Sequence, residues 1–176
     1  MITSAEVEAL VHEAHAGQYD KIGVPYVEHV RAVAAGLAPF GDDLYMAGLL
    51  HDVIEDTHWT GGRLREAGVP DRVVDIVETV TNRPGIPYEE KIRRIAGDRE
   101  ATLVKIADNA HNSRPDRSAR LPGDRRERLA AKYRAARDVL WAAADPAGIE
   151  TILAVVNPSL LPELRDRLAH GRGSGS

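Results

Sequence analysis

Apolar residues recur along most of this chain at intervals of three and four, the period of a helix with one face turned inward. Val7, Leu10, Val11 and Ala14 form such a stripe over 4–15, with Ser4 expected as its cap. Val27, Val30, Val33, Ala34 and Leu37 form another over 26–38, with His29 on its flank. A third run, from about Asp43 to Asp56, is apolar at Leu44, Met46, Ala47, Leu49, Leu50, Val53 and Ile54. A short helix is expected after Thr60, then one over 70–82 that opens on Pro70 and closes before Arg83-Pro84-Gly85. Segments 87–97 and 100–112 follow as two more helices. A long helix is expected from about Asp124 to Ala144, its start marked by Asp124 and Glu127 at capping-box spacing and its end by Asp145-Pro146. Residues 148–156 read as helix or strand, and 159–169 as a last amphipathic helix. No segment alternates convincingly with period two, so the predicted fold is all-α, a multi-helix bundle. It forms one domain over 1–170, followed by a flexible tail over 171–176.

Composition narrows this picture. Aromatic residues make up only 5% of the chain, so the core must be built from Ala, Leu, Val and Ile, which favours helices. Hydrophobic content of 43% and charged content of 28% are those of a soluble globular domain. The chain has no cysteine, which excludes disulfides, thiolate metal sites and cysteine nucleophiles and fits the reducing cytoplasm. No apolar run reaches the roughly 18–20 residues of a membrane span. The first ten residues lack the basic and apolar blocks of a signal peptide. A net charge of −4 argues against a nucleic-acid partner. Between Arg114 and Arg137, however, nine basic residues face three acids. Such a segment is either a solvated helix face or a positive rim for a phosphorylated small molecule.

Four polar residues break the third apolar run: His51, Asp52, Glu55 and Asp56. At 100° per residue they cover an arc of about 140° on one side of a helix. Charge on an otherwise buried helix must be paired or bound to a cation. With His29 and Asp108 brought in from neighbouring helices, His51 and Asp52 form an H…HD…D set of two imidazoles and two carboxylates. That donor set suits one divalent ion among Mn²⁺, Fe²⁺, Zn²⁺ and Mg²⁺. About two positions of an octahedral ion remain for a water and a phosphate oxygen. Glu55 and Asp56, one turn further on, are the candidate bases for that water. The chemistry expected of the set is phosphoester or pyrophosphate hydrolysis.

Four motifs in order carry a resemblance. They are A-H-x-G-Q (Ala14 to Gln18), K-x-G-x-P-Y-x-x-H (Lys21 to His29), L-L-H-D-V-I-E-D-T (Leu49 to Thr57) and V-K-I-A-D-N-A-H-N (Val104 to Asn112). In these the chain resembles the HD-domain phosphohydrolases, and among them the hydrolase domain of RelA/SpoT-type alarmone enzymes and their small stand-alone relatives. The resemblance implies a single Mn²⁺ held by His29, His51, Asp52 and Asp108, water activation by Glu55 and Asp56, and a nucleotide contact from Asn112. It implies removal of the 3′-pyrophosphate from guanosine tetra- or pentaphosphate, a small phosphorylated substrate. Two-metal members of the superfamily carry further histidines between the HD pair and the last Asp; here only His58 lies there, which implies one ion. Lys21 and Arg114 join Asn112 as candidate substrate-binding residues, while Tyr133 is expected in the core. His15 is expected to be structural, and His12 and His58 to lie at the surface.

Two departures bear on the substrate. Asp20 stands where the family has a basic residue facing the base, so a carboxylate is expected to oppose a polyanion there. Pro115 is expected to end the preceding helix early. Two other functions stay open on the same site. One is a phosphatase for nucleoside monophosphates or another phosphorylated metabolite. The other is a catalytically silent nucleotide-binding module, against which the intact Glu55 and Asp56 argue.

Overall fold

A computed structural model describes residues 2–171, and the expected tail from 172 onward lies outside them. The order is α1 (Ser4–Ala14), α2 (Tyr26–Leu37), α3 (Asp42–Leu50), α4 (Val53–Asp56), α5 (Gly61–Glu66), α6 (Asp71–Val80), α7 (Tyr88–Ile95), α8 (Arg99–Asn112), α9 (Pro115–Ser118), α10 (Gly123–Leu140), α11 (Pro146–Val156) and α12 (Leu161–Gly171). Among the described residues there is no strand, only an isolated bridge between Tyr19 and Pro25. The all-α expectation holds, and 148–156 is helix, started at Pro146. No helix among the described residues is long and apolar enough to cross a membrane.

Several boundaries differ from the sequence reading for local reasons. Thr3, not Ser4, caps α1: its hydroxyl accepts from Glu6 N (3.3 Å) while Glu6 Oε2 accepts from Thr3 N (2.8 Å), a full capping box. The expected box at Asp124 does not form. Helix α10 begins at Gly123 after Pro122, so Asp124 is already inside the first turn and cannot cap it. That helix ends at Leu140 and tightens into a 3₁₀ turn over Trp141–Ala143. The early stop at Pro115 is as expected: α8 ends at Asn112, and Pro115 opens the short α9.

The most consequential difference is the third run. It is two helices, α3 and α4, interrupted at His51-Asp52. Asp52 lies at φ −107°, ψ −2°, the sparsely populated bridge region. His51 Nδ1 donates to the Gly48 carbonyl (2.7 Å), so a side chain takes up a backbone acceptor at the break. The Asp56 N–H still reaches the Asp52 carbonyl (3.0 Å), which carries the chain one more turn and keeps Glu55 and Asp56 beside the HD pair.

Helix α2 is the central element, packed against α3, α8 and α11. Gly48 permits its close approach to α3. A Cβ there would lie 2.8 Å from the Ala34 Cα and 2.8 Å from Leu37 Cδ1. That contact sets the distance between His29 on α2 and His51 at the end of α3. Gly48→Ala should therefore force the two helices apart. Overpacking of this kind costs about 1–3 kcal/mol, which lowers Tm by roughly 2–12 °C in a chain of this size. A thermal melt checks it; an unchanged Tm would remove the close-packing argument.

Candidate functional site

Four side chains from three places in the chain meet at one point. His29 Nε2 lies 3.3 Å from His51 Nε2, 3.3 Å from Asp108 Oδ1 and 3.5 Å from Asp52 Oδ2. His51 Nε2 lies 2.9 Å from Asp52 Oδ2 and 3.8 Å from Asp108 Oδ1. Ligand atoms about 2.0–2.2 Å from a shared cation sit roughly 3.0–3.6 Å from one another, so these spacings fit a common ion with little adjustment. His29 and His51 are 3% and 2% exposed, and Asp108 is 6% exposed. Nitrogen and oxygen donors without sulfur make a borderline-hard set, suited to a first-row divalent ion.

The surrounding hydrogen bonds turn the converging atoms toward one another. His51 donates from Nδ1 to the Gly48 carbonyl, and His29 Nδ1 lies 2.7 Å from His111 Nδ1. With His111 accepting, both Nε2 atoms are turned inward, where a bound cation would take the place of the proton that His51 otherwise shares with Asp52. Each carboxylate is steadied by a donor outside the cluster. Tyr26 OH donates to Asp52 Oδ2 (2.6 Å), Asn112 Nδ2 to Asp108 Oδ1 (2.6 Å) and Lys105 Nζ to Asp108 Oδ2 (2.6 Å).

Electrostatics at this point favour positive charge. Burial works to raise the Asp108 carboxyl, but Lys105 and the two imidazoles outweigh it and hold it well below the usual carboxylate range. Asp52 is likewise held far down against its burial, chiefly by His51. His51 is pushed up to about 9, because Asp52 and Asp108 overcome the desolvation of its ring. The cluster is therefore built to stabilise a cation.

Glu55 and Asp56 flank this cluster in a cleft of about 330 Å³ that also reaches Asp52 and Asp108. Burial first, and then the neighbouring Asp52, raise the Asp56 carboxyl above its ordinary value, toward that of a working base. Glu55 is gripped by Asn82, whose backbone N–H donates to Oε2 (2.9 Å) and whose Nδ2 donates to Oε1 (2.6 Å). The acidic end of the cleft faces a basic wall of Lys21, Lys105, Arg117 and Lys132. A second compartment of about 290 Å³ adjoins it through Lys21, Asn112, Arg117 and Tyr133, and adds Arg126 and Arg134.

Eight of the nine residues expected at the site come together here. Arg114 does not. Its guanidinium is turned to Asp116 (3.0 Å), and it lines a separate cleft with His111 and Arg120. Asp20 is also not what the sequence implied. Its Oδ1 accepts from the N–H groups of Ile22 (2.9 Å) and Val24 (3.0 Å), and its Oδ2 is ion-paired with Arg117 at 2.7 Å. Its side chain is 3% exposed, so its charge is spent on the loop and on Arg117 rather than turned against a ligand. The basic residue of the cleft rim is Arg117, which the sequence reading counted as part of a charged helix face. Tyr133 is buried as expected, yet its hydroxyl faces Lys21 (3.3 Å) and so belongs to the cleft wall. Tyr26, Asn82 and Tyr88 were missed altogether; each lines the cleft. Only Tyr26, two residues after Val24 in the Lys21-to-His29 motif, carried a sequence signal. His15 is structural as expected, its Nδ1 against Gln18 Oε1 (2.8 Å) and Gln18 Nε2 on the Asp56 carbonyl (3.0 Å).

His111 makes the site sensitive to acid. Burial, with His29, pushes its imidazole down to about 3, so the folded chain keeps it neutral while the unfolded chain takes up a proton near 6.5. Stability contributed by a neutral His111 is present above 6.5 and is lost as pH falls toward 3. His51, held at about 9 in the fold, works the other way while its unfolded imidazole is still partly neutral, but that gain is nearly complete by about pH 6, and the depressed carboxylates respond only lower still. Between about pH 6 and about pH 5 the cation-free protein should lose up to about 1.4 kcal/mol per pH unit. Urea denaturation at about pH 6 and about pH 5 measures this, and His111→Gln should flatten the slope. An equal slope in the variant would assign the acid sensitivity elsewhere.

The model of the HD domain family matches residues 8–148. The chain is 34% identical over 134 residues to a guanosine-3′,5′-bis(diphosphate) 3′-pyrophosphohydrolase of Haemophilus influenzae, covering 69% of this chain and 19% of that protein. It is 31% identical over 169 residues to a GTP pyrophosphokinase of Streptomyces coelicolor, covering 85% of this chain and again 19% of the relative. The chain thus spans about a fifth of the length of these curated relatives. Among solved structures, a metazoan ortholog of SpoT described as hydrolysing ppGpp superposes with a TM-score of 0.69 at 24% identity, over 86% of this chain and 93% of that one, and shares its fold. With the family model spanning the His29, His51-Asp52 and Asp108 cluster, the chain belongs to the HD domain family.

Proposed function

We propose that this chain is a metal-dependent phosphohydrolase that removes the 3′-pyrophosphate of guanosine tetra- or pentaphosphate. The observation that carries the reading is the convergence of His29, His51, Asp52 and Asp108 next to two further carboxylates and opposite a basic wall. His29, His51, Asp52 and Asp108 would hold one divalent ion, Mn²⁺ being the ion proposed. When bound, such an ion supplies Lewis-acid charge stabilisation and makes a water more acidic. Asp56, with its raised carboxyl, and Glu55 take the proton of the attacking water. Lys21, Arg117 and Lys132 bind the phosphate oxygens, and Asn112 links the ligand shell to the nucleotide side of the cleft. The adjoining compartment, with Arg126 and Arg134, has room and charge for the nucleoside and its 5′-diphosphate. A cysteine-free chain acting on a free nucleotide fits the cytoplasm.

The runner-up, a nucleoside monophosphate phosphatase, drew its support from Asp20. With that carboxylate neutralised by Arg117, the support lapses. The deciding experiment offers the Mn²⁺-loaded protein guanosine tetraphosphate and nucleoside monophosphates, with pyrophosphate and phosphate release measured separately. Pyrophosphate release from the tetraphosphate is expected; phosphate release from monophosphates alone would replace this reading with the phosphatase.

Three sets of variants test the roles. Asp52→Ala should lose the metal by elemental analysis, since an anionic ligand goes and His51 loses its partner. Glu55→Gln and Asp56→Asn should keep metal and fold while kcat drops by about 10²–10⁴. Near wild-type turnover in both would take proton transfer away from these carboxylates. Arg117→Ala should raise KM for the tetraphosphate by about tenfold, the loss of one charge-assisted contact, with kcat nearly unchanged.

A further inference from the structure

Lys91 on α7 is 6% exposed, an unusual position for a lysine. Its ammonium does not reach a carboxylate directly: its hydrogen bond goes to Asn82 Oδ1. Burial pulls it down to about 8, with Lys105 acting the same way and Glu55, Asp108 and Asp52 acting against. On its outer side it borders a shallow cleft with Glu78, Arg83 and Arg94. Enclosing a cation against a neutral amide costs free energy, and α7 has Ile92 and Ile95 for its core contacts. Core packing therefore does not account for the lysine.

Its effect on Asn82 does. An ammonium can only donate, so the amide must turn its oxygen toward Lys91. The other end of the amide, Nδ2, is then committed to Glu55 Oε1, and the backbone N–H of the same residue holds Oε2. With the amide flipped, NH₂ would face ammonium and oxygen would face carboxylate, two repulsive contacts in place of two hydrogen bonds. Glu55 is an exposed residue on the four-residue helix α4, and this grip fixes both of its oxygens in the cleft.

We propose that Lys91 and Asn82 are positioning residues: Lys91 selects the amide orientation of Asn82, and Asn82 aims the Glu55 carboxylate at the water it deprotonates. This rests on the reading of Glu55 as a proton acceptor. Asn82 lines the cleft, but its side-chain amide is committed to Glu55 and Lys91, and both residues act through Glu55. Their contribution belongs to kcat, because an unaimed base loses the pre-set geometry of the attack without weakening nucleotide binding.

The test uses the full chain and two readouts. In steady-state hydrolysis of guanosine tetraphosphate by the Mn²⁺-loaded protein, Asn82→Ala and Lys91→Met should lower kcat by about 10- to 100-fold with KM within about twofold. Lys91→Arg, which keeps a buried donor and its charge, should recover most of the loss. Asn82 is an exposed residue, so its variant keeps the experiment informative even where Lys91→Met folds poorly. The second readout needs no substrate: the side-chain amide signals of Asn82 in ¹⁵N NMR should shift in both Lys91→Met and Glu55→Gln and stay in place in Lys91→Arg. Unchanged kcat in Asn82→Ala, equal losses in Lys91→Met and Lys91→Arg, or amide signals indifferent to Lys91 would each overturn the relay. A wild type inactive on guanosine 3′-diphosphates would instead sink the functional reading, and the amide signals would still decide the relay.

Discussion

Two carboxylates, one buried and one half-buried, are held beside two buried imidazoles, and this one crowded point dictates most of the surrounding structure. Such a group of charges is unfavourable unless every lone pair is directed and a cation is admitted. Each neighbour answers part of that demand. Tyr26 and Asn112 take one oxygen each, Lys105 takes another, and the Gly48 carbonyl and His111 orient the rings. The break between α3 and α4 has the same origin. An unbroken helix would carry His51 and Asp52 about 100° apart around its axis. The bridge-region conformation of Asp52 lets both reach the same place.

The second constraint is charge zoning. The acidic cluster and the basic wall share one small cleft, and without internal pairing they would collapse onto each other. Lys105 is the one cation of the wall tied into the cluster, at 2.6 Å from Asp108. Lys132 lies over the Tyr88 ring, 4.0 Å from its centroid, and Lys21 leans on the Tyr133 hydroxyl. These partners are neutral, so both ammonium groups keep their charge available to an anion. Arg117 is anchored by Asp20, which sets its position while its remaining N–H groups still face the rim.

The helices were legible because an apolar stripe with the helical period survives in nearly every segment. The cluster was legible because polar residues on such a stripe have no packing role. What escaped the sequence follows from competition between local choices or from distant partners. Thr3 and Ser4 can both cap, and only the reach of Glu6 selects Thr3. The break at His51 depends on one side chain reaching a carbonyl three residues back. Asn82 stood at the end of the helix expected over 70–82, whereas α6 stops at Val80; its meaning comes from Glu55 on one side and Lys91 on the other. Arg117 sat among nine basic residues, and nothing nearby in sequence marks it as the one whose partner is Asp20.

That pairing bears on how the cleft wall is built. Asp20 puts a carboxylate beside Lys21, and Arg117 on α9 balances its charge. The Asp20 carboxylate organises the turn through the Ile22 and Val24 N–H groups, and this turn carries Lys21. The same carboxylate ties the turn to α9, the element behind Pro115. The wall between the cleft and the arginine-lined compartment is thus made by the Asp20 turn and α9, joined through one buried ion pair. The metal cluster stands on the α2, α3 and α8 scaffold and does not depend on that pair. Substitutions at the Asp20–Arg117 junction can therefore reshape the cleft wall while leaving the histidine–aspartate cluster intact, whereas the scaffold around Gly48 admits little change without moving His29 away from His51.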